Sequence, residues 1–144
     1  MLVWTRQSLL KRADLALYEA NEHRRGSHRF YSSAIHQKLQ RARRIIDIIE
    51  RHEPAEIFRL VYQSHQNLQT QRITATEALL RWTHAEFADA TPPEIINLLE
   101  RHRHMASVSE WILGKALAQL TRWDDAGADA NFAMSVNMSA DLLR

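Results

Sequence analysis

Cysteine is absent from this 144-residue sequence, and glycine and proline occur only 3 times each. The lack of Cys excludes disulfides, thiol nucleophiles and Cys-ligated zinc, and it is compatible with a reducing compartment. No apolar run approaches the roughly 20 residues that a membrane-spanning helix requires. The opening MLVWTRQSLLKR places a basic stretch behind a very short apolar one and offers no small-residue cleavage site, so no secretory leader is expected and the chain is expected in the cytoplasm. There is no Gly-rich phosphate loop, and no Ser-His-Asp arrangement that the pattern brings together. Charge of one sign is also scarce: 19 Lys+Arg against 17 Asp+Glu leave a net +2, and 45% of the residues are apolar. A chain of this composition has enough apolar material for one ordinary domain with a core, and it is not of the disordered class.

What charge there is lies unevenly. Residues 1–52 hold 11 basic and 5 acidic side chains, and the remainder 8 and 12. The Arg residues of the front stand between apolar positions at helical spacing, the pattern of a solvated helix face, so nucleic acid is not an expected partner. Thr5–His23 reads as an amphipathic helix with Leu9, Leu10, Ala13, Ala16, Leu17 and Ala20 on one face. Arg24 to Ser27 break it. Ile35, Leu39, Ala42, Ile46 and Ile49 then alternate spacings of four and three, which predicts a second helix with an apolar seam.

After Pro54 the pattern turns to strands, Ile57–Gln63 and Arg72–Trp82, separated by a polar stretch containing Asn67 and Thr70. Thr91-Pro92-Pro93-Glu94 has the form of a helix start and predicts a helix to about Arg103. Ser107 or Ser109 is the expected cap of the next helix, whose face is Ile112, Leu113, Ala116, Leu117, Leu120 and Trp123, and Gly127 its end. Phe132–Asn137 reads as a third strand, and Ser139 as the cap of a further helix. The order helix, helix, strand, strand, helix, helix, strand is an α/β pattern.

Alternation on the second strand puts Glu77, Leu79 and Arg81 on one face and Ala78, Leu80 and Trp82 on the other. A carboxylate and a guanidinium projecting together suit either a same-face ion pair, or a cation ligand beside a phosphate grip. Asn137, at a strand end, suits a turn or an oxygen donor to a hard cation, and Gln63 has the same ambiguity. His102 and His104 do not share a helix face, so they read as a solvated helix end. Trp4, Trp82, Trp111 and Trp123 read as packing residues.

Tyr62-Gln63, Glu77-Ala78-Leu79-Leu80-Arg81-Trp82, Pro92, Glu94-Ile95-Ile96, Leu98, Glu100, Glu110-Trp111-Ile112-Leu113, Gln119-Leu120, Trp123, Gly127 and Val136-Asn137-Met138-Ser139 follow one another in a familiar order. Over Glu56–Arg144 the sequence resembles the EAL domain of cyclic-di-GMP phosphodiesterases, in register and essentially without gaps. The front, Ala13-Asp14-Leu15-Ala16-Leu17-Tyr18-Glu19-Ala20 with Arg25 and Arg29-Phe30-Tyr31, resembles the tail of a GGDEF (diguanylate cyclase) domain. The two resemblances imply a division into 1–31 (GGDEF-like tail), 32–54 (connector helix) and 55–144 (front of an EAL-like domain). The implied fold is a partial (β/α) barrel of the TIM type, its first three strands preceded by two helices.

The implied activity is metal-dependent hydrolysis of cyclic di-GMP to pGpG. By resemblance Glu77 and Asn137 are ligands of Mg²⁺ or Mn²⁺, and Gln63, Leu79 and Arg81 line the substrate site, with Arg81 on a phosphate. The family takes its further metal carboxylates, including the paired Asp of a DDFG stretch, and its catalytic Lys from later strands that this sequence does not contain; the GGDEF signature would lie before Met1. The catalytic set is therefore incomplete, and hydrolysis by this chain alone is not expected. Ser64, Gln71, Ala75, Ala88, Arg103 and Ser109 stand where the family usually has Gly or Pro, which implies strain wherever the backbone needs positive φ. Three strands patterned for a closed barrel leave unpaired edges, so weak cyclic di-GMP binding and self-association or a GGDEF or EAL protein partner are expected. The alternatives are a regulatory interaction module and an inactive product of a split gene.

Overall fold

The computed structural model describes residues 5, 6, 9, 10, 12–14, 16, 17 and 30–138. The chain forms two compact units, residues 1–45 and 46–144. In the first, the described residues 6–17 are helical, in keeping with the amphipathic pattern. Ala16 is buried there, whereas Leu9, Leu10 and Leu17 are exposed. Most of the GGDEF-like stretch, and Ser139, lie outside the described residues. Helix α1, Ser33–Arg51, begins where Ser32 Oγ accepts the Ile35 N–H at 3.3 Å. Its seam is broader than expected at the C-terminal end, where Ile45 and Ile48 are buried as well as Ile46 and Ile49. His52 Nδ1 bonds the Ile48 carbonyl at 2.8 Å and closes the helix.

Pro54 does not only stop that helix; it also opens a short one. Glu53 and Glu56 form a reciprocal capping box around α2, Pro54–Ile57, with Pro at its first position. Strand β1 is Phe58–Gln66 and β2 is Ile73–Trp82. They form an antiparallel hairpin whose register runs from Phe58 opposite Trp82 to Gln66 opposite Ile73, with an irregularity at His65/Gln66. Asn67 builds the connection: its Oδ1 accepts the N–H groups of Gln69 and Thr70, and its backbone bonds Gln71 and Arg72. Helix α3, Pro92–Arg101, starts on Thr91, whose hydroxyl accepts the Glu94 N–H as the sequence predicted.

Helix α4, Met105–Asp125, begins ahead of both serines expected to cap it. His104 is its N-cap residue, Ser107 lies inside the first turn and donates back to the His104 carbonyl, and Ser109 is buried. Strand β3, Ala133–Val136, pairs parallel to β2, so the sheet order is β1-β2-β3. One face of this sheet packs under α3 and α4. Ile57, Ile95, Leu99 and Val108 are each less than 2% exposed, and burying side chains of this size contributes roughly 1.5–3 kcal/mol apiece.

Two helix ends invite comparison. After α4, the Gly127 N–H bonds the Asp124 carbonyl and the Ala128 N–H bonds the Trp123 carbonyl, with Gly127 at φ 87°. After α3 the same pair of bonds recurs, Arg103 to Glu100 and His104 to Leu99, with Arg103 at φ 61°. Gln71 in the hairpin also has positive φ, 58°, and so does Phe87, 62°, in the loop after β2. Of the six positions where the family usually has Gly or Pro, therefore, Gln71 and Arg103 are the two that require the left-handed backbone; Ser64, Ala75, Ala88 and Ser109 do not. A side chain in this region costs about 1–2 kcal/mol. Gln71→Gly and Arg103→Gly should each raise stability by about 0.5–1 kcal/mol after the glycine's larger unfolded-state entropy is counted, read as a higher urea midpoint at unchanged slope. Ala88→Gly should lower it.

Tyr62 packs edge-on to Trp123 at 5.0 Å, and burial raises its phenol above the ordinary tyrosine range, with Arg122 partly opposing the shift. Below pH about 10 both folded and unfolded states keep this proton. As pH rises further the unfolded chain releases it first, so stability is lost up to the folded-state value. Denaturation between neutral and strongly alkaline pH should show this decline, and Tyr62→Phe should flatten it.

Candidate functional site

The helix-covered face of the sheet carries Phe58, Tyr62 and Ala78, with Phe58 against Trp111 and Tyr62 against Trp123. Strand alternation then assigns the odd-numbered residues of β1 and β2 to the other face. The hairpin register pairs Gln63 with Glu77, Val61 with Leu79 and Arg59 with Arg81, and β3 sets Ser135 beside Glu77. Gln63, Glu77, Leu79 and Arg81 therefore share one face of one sheet. Asn137, two residues past Ser135, joins them from the carboxyl end of β3.

Asn137 Nδ2 donates to Glu77 Oε1 at 2.7 Å, a contact between residues 60 apart in sequence. Glu77 is half-buried, while Gln63 and Asn137 are exposed. Arg81 is half-buried too, and its Nη1 donates to the Leu80 carbonyl at 2.8 Å. The same-face ion pair that the strand pattern left open does not form: Glu77 takes its hydrogen bond from Asn137, and Arg81 leans on its own backbone. Past the Glu77–Asn137 contact a cavity of about 230 Å³ lies between β2 and helices α3 and α4, lined by Ala78, Leu80, Ile96, Met105 and Ile112 from the covered side, with Leu79, Arg81, Asn137 and Met138 at its margin.

Glu77 and Asn137 are hard oxygen donors of the kind Mg²⁺ and Mn²⁺ accept, so they fit a divalent cation in kind. In number they do not suffice: among the described residues no group of three or more His, Cys, Asp or Glu could hold a metal ion. The Asn137 amide here presents nitrogen to the carboxylate, and a ligating Asn137 must present its oxygen instead.

The loop after Arg81 is pinned by local bonds. Trp82 Nε1 donates to the Glu86 carbonyl at 3.2 Å, the Glu86 N–H bonds His84 Nδ1 at 3.2 Å, and Trp82 packs edge-on to Phe58 at 5.6 Å. Trp82, Trp111 and Trp123 thus serve packing, as the pattern indicated; Trp4 lies outside the described residues. His102, Arg103 and His104 form the turn between α3 and α4. Sequence reasoning overlooked Arg59. The signal lies in the strand's alternation, because Arg59 shares Gln63's parity on β1.

Residues 37–144 match the EAL domain family, a match that starts within α1, upstream of Glu56. The cyclic di-GMP phosphodiesterase PA2567 of Pseudomonas aeruginosa is 34% identical over 110 residues, 76% of this chain and 19% of that protein. The bifunctional diguanylate cyclase/cyclic di-GMP phosphodiesterase MucR of the same organism is 29% identical over 136 residues, 94% of this chain and 20% of that one. The chain thus spans about a fifth of the length of these relatives. Among solved structures, the MucR phosphodiesterase in complex with c-di-GMP superimposes with a TM-score of 0.57 at 27% identity, covering 74% of this chain and 42% of that one. The EAL enzyme Bd1971 in its cGMP-bound form shares the fold, with a TM-score of 0.55 over 99% of this chain. No helix among the described residues is long and apolar enough to cross a membrane. By its family match and its sheet, this chain belongs to the EAL domain family.

Proposed function

We propose that residues 55–144 form the cyclic-di-GMP-binding front of an EAL phosphodiesterase barrel, with residues 32–54 as connector and residues 1–31 as the tail of a GGDEF-like domain. The observation that carries the reading is the Glu77–Asn137 contact at 2.7 Å, which brings the two residues aligned with the family's metal ligands together on the face that also holds Gln63, Leu79 and Arg81. Glu77 and Asn137 would hold the divalent cation, Mg²⁺ or Mn²⁺. When bound it supplies charge neutralisation at the phosphoryl oxygens and an activated water. Arg81 offers a forked donor to a phosphate, Gln63 an amide to the nucleotide, and Leu79 an apolar wall beside the cavity.

These residues bind and orient; they do not complete a hydrolytic site. Two oxygen ligands leave Mg²⁺ largely hydrated and poorly fixed. The 144-residue chain should therefore show no turnover of cyclic di-GMP in millimolar Mg²⁺ or Mn²⁺, measured by chromatographic detection of pGpG. Turnover that vanishes in Glu77→Ala would show the metal site to be complete.

Binding is expected to rest on Arg81 more than on Glu77. In the absence of metal the carboxylate repels phosphate, whereas the guanidinium attracts it. Calorimetry in chelator should give a loss of about tenfold or more for Arg81→Ala and a smaller loss, or a gain, for Glu77→Ala. Equal losses from both would contradict the proposed roles.

A further inference from the structure

Arg59 lies directly opposite Arg81 in the β1–β2 register, and both belong to the face that carries Gln63 and Glu77. Directly opposed residues hold their Cβ atoms about 4.5–5.5 Å apart, and like charges in that position oppose one another. An acid opposite either arginine would turn this opposition into attraction. Instead, no carboxylate pairs with Arg59 among the described residues, and its side chain is exposed. Arg81 spends one donor, Nη1, on the Leu80 carbonyl, which fixes its guanidinium and leaves the others free to face a ligand. Val61 and Leu79, the next register pair, separate this cationic pair from Gln63 and Glu77 by an apolar step. The two ends of the row are four residues apart, about 13 Å along the strands.

We propose that Arg59 and Arg81 together form a two-guanidinium clamp for a phosphate group, with Arg59 as a ligand-binding residue of this chain in its own right. A phosphodiester or pyrophosphate between two forks accepts charge-assisted bonds from both sides and removes the repulsion that the empty pair bears. The chemical class is thus an anion with oxygens on more than one edge, reached without any metal, and its phosphate sits at the opposite end of the row from Glu77. This inference rests on the phosphodiester-binding reading of the face and adds a second cation to it.

The test uses the 144-residue chain in chelator at fixed ionic strength, with two probes. Cyclic di-GMP binding is followed by calorimetry, and pyrophosphate binding by the rise in unfolding temperature. Arg59→Gln should weaken both by about tenfold or more, and Arg59→Lys, which keeps the charge without the fork, should recover only part. The Arg59→Gln/Arg81→Gln double variant should lose less than the two single losses combined, because the two side chains share one anion. Arg72→Gln, an exposed cation elsewhere on the hairpin, should bind both probes as the unaltered chain does. Without anion Arg59→Gln should be no less stable than the unaltered chain, which separates loss of binding from loss of fold.

Cyclic di-GMP binding that ignores Arg59 overturns the clamp and leaves the proposed function standing. Arg59-dependent uptake of pyrophosphate without uptake of cyclic di-GMP supports the clamp and overturns that function. Binding of neither probe, or an equal loss in Arg72→Gln, overturns the clamp.

Discussion

Everything placed on the open face of this sheet depends on the hairpin register of β1 and β2. Side chains alternate with a period of two, so a slip of one residue would carry Glu77 and Arg81 under the helices and turn Thr76 and Ala78 outward. What holds the register is the buried side. Ala78 and Thr76 are 3% exposed, Phe58 is wedged between Trp82 and Trp111, and Thr76 Oγ1 donates to the Gln63 carbonyl at 3.0 Å across the pair. These contacts have no chemical role of their own. They fix where the chemically useful row lies, and the parallel addition of β3 then brings Asn137 to Glu77.

The sequence disclosed the features that depend on short-range period. The grouping of Glu77, Leu79 and Arg81, the Thr91 cap, the seam of α1 and the end of α4 at Gly127 all follow from spacing within a few residues, and all are present. Long-range pairing was legible only through family resemblance. Nothing local tells that Asn137 reaches Glu77 or that Gln63 stands opposite it, because both facts arise from strand pairing over long separations. The capping of α4 went wrong for a physical reason. The turn from α3 uses the left-handed Arg103 and hands the chain directly to His104, so the helix begins before either serine is reached. Where Ser109 then falls, it is 2% exposed and its hydroxyl lacks a hydrogen-bond partner, a cost that a Gly or Pro there would not bear.

The departures from the Gly or Pro that the resemblance implies divide by mechanism. At Gln71 and Arg103 the cost is backbone conformation, whereas at Ser109 it is a desolvated polar group. All three lie outside the row Gln63, Glu77, Leu79, Arg81. Gln71 is at the hairpin tip, where Gln66 Nε2 bonds its carbonyl at 2.8 Å, and Arg103 is in a helix–helix turn. They lower the stability of the scaffold without altering the groups on the open face.

Charge is unevenly placed along the row. Glu77 is negative and tied to a neutral amide, so that end repels phosphate, while the Arg59–Arg81 end is doubly positive and attracts it. The two ends are about 13 Å apart, beyond the roughly 8–10 Å over which exposed charges act through physiological salt, so they operate nearly independently. The proposed clamp would therefore hold a long anionic ligand at the arginine end first, with its other phosphate directed toward Glu77 and the cost of approach borne only there. A divalent cation held at Glu77 and Asn137, as proposed, would reverse the sign of that end alone. On the proposed reading, anion capture would not require metal whereas chemistry at the far phosphate would, a separation that follows from strand geometry and the placement of three charged residues.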